Sequence, residues 1–323
     1  MTGAKLKSQT FVQRAWHFLF AHEPMRHAWW EMVLMRFGVA MVTWSSMKFL
    51  PSPLHSQPVP HGLAAWGVDF TWLSDPELCA WFVPFCGVSL LLYIVGVWPV
   101  LTLIAPLLAI VGQGVLSNSQ GAIHHTSQVI AVALLAGWLA GVWSVVARRS
   151  NKPLPGAFNP QQLGLDWMRQ ILIAGYVVSA LMKLIDSGGD WLGNTPYFGL
   201  QIEKSTGMAF HANLEPPENA AWLAQYFIDH PLMAKITIGF GLPLELFAFL
   251  ALLNRRMALF FGLALYAFHT IITEVMHLGF AYNRMLLLFL FINPVWWLVE
   301  FARAILRRFS RPRKFDADAA GVP

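Results

Sequence analysis

The sequence predicts an all-α polytopic membrane protein, a bundle of about eight transmembrane helices with both termini in the cytoplasm. Three observations predict it. Hydrophobic residues fill 56% of the 323 positions and charged residues only 12%, about half the roughly 25% charge of soluble domains. Apolar runs recur at lengths that match about 30 Å of hydrocarbon. Lysine and arginine collect in alternate loops.

Residues 1–26 form a basic arm. "KLKSQTFVQRAWHFLF" is amphipathic and lacks an apolar core followed by a small-residue cleavage site. It reads as a helix on the membrane surface rather than a cleavable signal, with a poorly ordered tail as the alternative. Residues 27–305 form the transmembrane domain. Its apolar runs are 28–50, 76–96, 98–116, 123–147, 164–186, 232–253, 256–277 and 282–305. Pro99 and Pro106 make the third the least regular. Cys79 and Cys86 lie seven apart in the second run, about 10 Å along a helix axis, too far for a disulfide.

Loop charge orients the runs. Lys5, Lys7, Arg14 and Arg26 precede the first run. Arg148, Arg149 and Lys152 follow the fourth, Arg255 and Arg256 separate the sixth from the seventh, and a basic tail fills 306–323. Loops 51–75 and 117–122 have neither Lys nor Arg, and loop 187–231 has only Lys204 among five acidic residues. Basic loops face the cytoplasm, and the +5 net charge then meets anionic lipid and requires no nucleic acid. Loop 187–231 is too long for a simple connection. Within it, "PENAAWLAQYFIDHP" has helical apolar spacing and reads as a short interfacial helix, either a lid or an anchor.

Titratable residues inside spans are costly and usually face a bundle interior or cavity. The orientation brings His124, His125, Lys183 and His269 to the outer half of the membrane and Glu245 to mid-depth. Two readings fit Lys183: an amine that snorkels to the interface, or a charge held inside. In apolar surroundings a lysine loses its proton more readily and becomes a general base. A membrane quinol is one substrate with a suitably acidic proton, and Trp191 and Tyr197 are placed to stack on a flat ring. The His124–His125 pair fits interfacial caps as well as a site, and His269 fits a satisfied buried histidine as well as a functional one. Glu245 must be neutral or paired. No HExxH and no cysteine ligand set is present, so no metal is expected.

These residues carry a family resemblance. "AGYVVSALMKLIDSGGDWLGN" resembles the lysine-bearing helix of the HTTM (horizontally transferred transmembrane) domain family, which includes the membrane domain of vitamin K-dependent gamma-carboxylase. "HHTSQVIAVALLAGW", "LPLELFAFLAL" and "YAFHTIITEVMHLGFAYNRMLLLFLFINP" resemble three further family helices, in the family's order, over most of residues 28–305. The resemblance implies that Lys183 is the base that deprotonates a reduced quinone, a vitamin K-type hydroquinone, before oxygen adds. It implies active-site roles for His125 and His269, with His124, Trp191, Tyr197 and Glu245 around the substrate. The gap from Lys183 to Trp191 is longer than in animal carboxylases, and no large extramembrane region follows the last span.

The sequence thus points to a quinol-dependent oxygenase or carboxylase-like enzyme with an outward-facing site, in a bacterial inner membrane. The alternative is a non-enzymatic membrane protein that matures or binds a secreted peptide or a lipid. A transporter is disfavoured, since neither an inverted repeat nor a discontinuous helix pair is evident.

Overall fold

The computed structural model describes residues 10–121, 127–150, 159–213 and 220–309. His124 and His125 lie outside these residues. The chain divides into two compact units at Ile292. Every regular element among the described residues is helical.

Helix α1 (Phe11–Phe20) is the expected amphipathic helix of the arm. Helix α2 spans Trp29–Met47. Helix α3 spans Pro76–Val95, a short α4 covers Pro99–Thr102 and α5 covers Ile104–Asn118. Helix α6 spans Gln128–Arg149 and α7 spans Pro160–Asp186. The former loop 187–231 holds α8 (Trp191–Asn194), α9 (Phe198–Asn213) and α10 (Ala220–Asp229). Of these the sequence indicates only α10. Then follow α11 (Pro231–Gly239), α12 (Gly241–Leu246), α13 (Arg255–Met276) and α14 (Ala281–Leu287).

The starts and stops follow local chemistry. Asp75 caps α3, accepting from the Glu77 and Leu78 amides at 2.8 and 3.3 Å, with Pro76 at the first position, where a missing N–H costs nothing. Gly96 ends α3 at φ 85°, a left-handed position that glycine fills without strain. Asn159 and Pro160 repeat the start signal for α7. Asn254 caps α13, accepting from the Arg256 and Met257 amides at 3.0 Å each.

Among the described residues, six stretches are long and apolar enough to cross a membrane: Pro76–Val95, Pro99–Asn118, Gln128–Arg149, Pro160–Asp186, Arg255–Met276 and Ala281–Phe309. Two of the eight expected runs are not among them. Helix α2 is long enough, but Glu31 and Arg36 dilute it, and both are buried. The sixth run differs from expectation because it is discontinuous: α11 gives way to α12, and a 3-10 turn follows over Ala248–Leu252. Pro243 explains the break. It has no N–H for the Gly239 carbonyl, and its ring crowds that carbonyl.

In residues 10–292, α2, α3, α5, α6, α7, α13 and α14 enclose one apolar core that includes Met35, Val39, Leu134, Ile173 and Leu265. Helix α6 packs along α7 through Ala133, Gly137, Ala140 and Ser144, all buried. Small residues at this spacing let two helix backbones approach where lipid offers no hydrophobic drive. Gly38 of α2 serves the same end: a Cβ there would meet the Phe289 ring at 2.2 Å. Phe289 sits on a π-turn over Leu288–Ile292.

The basic-loop end is tied by polar contacts. Glu31 pairs with His27 at 2.8 Å and with Arg255. Gln162 donates to the Met25 carbonyl at 2.6 Å. Asn254 donates to the Leu19 and Ala21 carbonyls at 2.8 and 2.9 Å, and Arg256 stacks on Phe18 at 3.6 Å. The arm is thereby fastened to the start of α13. In residues 293–309, α15 (Pro294–Phe309) pairs Arg303 with Glu300 at 2.7 Å and sets Trp296 edge-on to Trp297.

Candidate functional site

Helix α7 supplies one wall of the site. Tyr176 and Lys183 are seven residues apart, nearly two full turns, so they share a face. Ser179 lies between them on the same cavity wall. Helix α12 supplies Glu245, α13 supplies His269, and α8 supplies Trp191. These side chains line one cavity of about 530 Å³, together with Phe268, Phe280 and Asn283.

Lys183 turns inward. Its Nζ hydrogen-bonds to Oε2 of Glu245 and forms an ion pair with it. The Glu245 side chain is 5% exposed and that of Lys183 26%. Trp191 lies beside the pair, its ring centroid 5.6 Å from Nζ. The break between α11 and α12 matters here, because it places Glu245 on a short helix of its own, opposite the end of α7.

His269 is 3% exposed. Its Nε2 lies 2.9 Å from the Tyr176 hydroxyl, and the Phe280 ring stacks on the imidazole at 4.4 Å. His269 Nδ1 and Trp191 Nε1 are both buried without a hydrogen-bond partner among the described residues. When the Tyr176 hydroxyl donates to Nε2, the ring proton sits on Nδ1, which then has a donor to spare. Two uncommitted N–H groups in a cavity beside an ion pair suit a ligand that presents oxygen.

Of the residues singled out from sequence, Lys183, Glu245, His269 and Trp191 thus come together. Tyr197 does not line the cavity, and its side chain is 63% exposed. Only three residues past the end of α8, it falls on a different turn. Tyr176 was not singled out, although its spacing from Lys183 was available. Phe280 and Asn283 gave no local signal. A second cavity of about 330 Å³ adjoins the first and shares Phe198, Ile238, Phe268 and Ile272 with it. Its remaining lining is almost entirely apolar, Thr237 excepted.

Among the described residues, no group of three or more His, Cys, Asp or Glu gathers to hold a metal ion. Cys79 and Cys86 are free and buried. No family model, curated protein or solved structure matches the chain.

Proposed function

We propose that the protein is a quinol-dependent membrane oxygenase or carboxylase-like enzyme of the HTTM kind, lodged in a bacterial inner membrane. In this reading the chain crosses the bilayer eight times with both termini cytoplasmic, α2 and the broken α11–α12 element being the two less apolar crossings. The observation that carries it is the half-buried Lys183–Glu245 pair, set in one cavity with His269 and Trp191. When the ammonium proton passes to Glu245, the Lys183 amine is neutral and accepts the proton of a phenolic hydroxyl, leaving a phenolate beside the new ammonium. The free N–H groups of His269 and Trp191 are donors for the negative oxygen, already oriented before charge develops. The adjoining apolar cavity suits an isoprenoid tail, which supports a lipid quinone over a small polar substrate. His125 and His124 keep the site roles that the resemblance implies.

The same apolar cavity favours a second reading, a protein that holds a lipid or lipid-like peptide without turning it over. Purified protein in lipid nanodiscs, given a reduced quinone and oxygen, separates the two. Quinone epoxide formation that Lys183→Ala abolishes is the outcome expected. Quinone binding that is unaffected by Lys183→Ala, with no turnover of ubiquinol, menaquinol or vitamin K hydroquinone, would sink the enzymatic reading in favour of the second.

A further inference from the structure

A second polar site lies at the opposite end of α7. Gln161 stands 22 residues before Lys183, about 33 Å along the helix axis. It touches Arg36 of α2, which is 1% exposed. Arg36 Nη2 donates to Gln161 Oε1 at 3.1 Å, while Gln161 Nε2 donates to the Gly96 carbonyl at 3.1 Å. That second bond fixes the amide so that its oxygen faces the guanidinium. Arg36 Nη1 is buried and has no hydrogen-bond partner among the described residues. Among the described residues no carboxylate pairs with Arg36.

A cavity of about 180 Å³ adjoins this guanidinium, and its lining includes Gly96, Trp98, Ser144, Arg148 and Gln161. Arg36 and Arg148 both line it, and among the described residues no Asp or Glu does. The start of the 27-residue α7 also lines it, so the positive end of that helix adds to the field. Gly96 makes room for the Arg36–Gln161 pair: a Cβ there would sit 2.6 Å from Arg36 Nη1 and 2.9 Å from Gln161 Nε2. A buried guanidinium without a counter-charge is costly, and the offset is an anion whose oxygens can take its free N–H groups.

We infer that this cavity binds a phosphate oxyanion, clamped between Arg36 and Arg148. A guanidinium presents paired donors that match phosphate oxygens. An anionic phospholipid headgroup and a free phosphate ion share this chemistry, and the cavity lies at the end of the bundle where the basic loops gather.

Delipidated full-length protein in detergent, titrated separately with phosphatidylglycerol and inorganic phosphate, tests the assignment. The readout is a saturable rise in unfolding temperature, with native mass spectrometry counting bound molecules. Binding to the wild type that weakens at least tenfold in Arg36→Met supports the site, since a charged hydrogen-bond pair is lost. A response to phosphatidylglycerol alone identifies the headgroup, and a response to inorganic phosphate identifies the free ion. If Arg36→Met does not fold, Arg148→Gln replaces it, with about threefold weakening expected from this more exposed partner. No saturable response in the wild type, or an equal response in the variants, overturns the inference.

Discussion

Replacing Lys183 by methionine strands the carboxylate of Glu245, whose side chain is only 5% exposed. Removing one member of a buried ion pair costs about 3–5 kcal/mol. Solvent already reaches part of Lys183, at 26% exposure, so the lower end, about 3 kcal/mol, applies. Unfolding entropy of about 2.1 cal/mol/K per residue over 323 residues amounts to about 0.7 kcal/mol/K. The unfolding temperature of Lys183→Met should then fall by about 4 °C. Glu245→Gln leaves a charge that water can partly reach, so about 2 kcal/mol, or about 3 °C, is expected. The double variant removes both charges, and exchanges of that kind are close to neutral. It should unfold within about 1 °C of the wild type. Intrinsic tryptophan fluorescence on heating, in one detergent at fixed lipid content, measures all four proteins. A double variant that loses the sum of the two single effects would show that the residues act independently, and the paired site would have to be abandoned.

Four other substitutions probe separate parts of the structure. Gly38→Ala puts a Cβ 2.2 Å from Cγ and 2.4 Å from Cβ of Phe289, atoms held close to the backbone, and should cost about 1–3 kcal/mol. Gly137→Ala meets only the Cε tip of Met168 at 2.1 Å, which can swing away, so its loss should be under about 1 kcal/mol; equal drops in unfolding temperature would contradict this account of helix packing. Asn254→Ala removes a helix cap worth about 1 kcal/mol together with the bonds to Leu19 and Ala21. It should speed trypsin cleavage at Arg26, and an unchanged rate would mean that the arm is held by other contacts. Tyr176→Phe deletes the hydroxyl at His269 Nε2 and should lower quinone epoxide formation about tenfold while stability changes by about 1 kcal/mol; full turnover would remove Tyr176 from the site.

The helices were legible wherever one period ran without interruption. Apolar length located α3, α6, α7 and α13 to within about five residues, and helical spacing located α10. The discontinuity at α11–α12 was written in "FGLPLEL", where Gly241 and Pro243 fall within three positions, but the surrounding apolar residues make the run look continuous. Helix α9 was hidden for the opposite reason: its residues are mixed in polarity, so no clear stripe marks it. At the site, a charge in an apolar run was enough to single out Lys183, Glu245 and His269. Which of them meet depends on helix packing, and the pairing of Lys183 with Glu245 spans 62 residues. Tyr176 is a neutral aromatic in an apolar helix, and only its seven-residue spacing from Lys183 separates it from an ordinary core position. Arg36 is a charge within the first apolar run, and its surroundings depend on Gly96 and Gln161, which approach it from the end of α3 and the start of α7.

The break between α11 and α12 leaves backbone carbonyls on the cavity wall in need of partners. A continuous helix keeps its carbonyls to itself, whereas an interrupted one leaves some that need another donor, and inside a bilayer such backbone persists only against protein or water. Here the interruption sits beside Glu245, on the wall of the Lys183 cavity. Hydration of that wall would connect the carboxylate to the aqueous phase by a short relay. Such a relay would let Glu245 exchange protons with the aqueous phase while the Lys183–Glu245 contact stays in place.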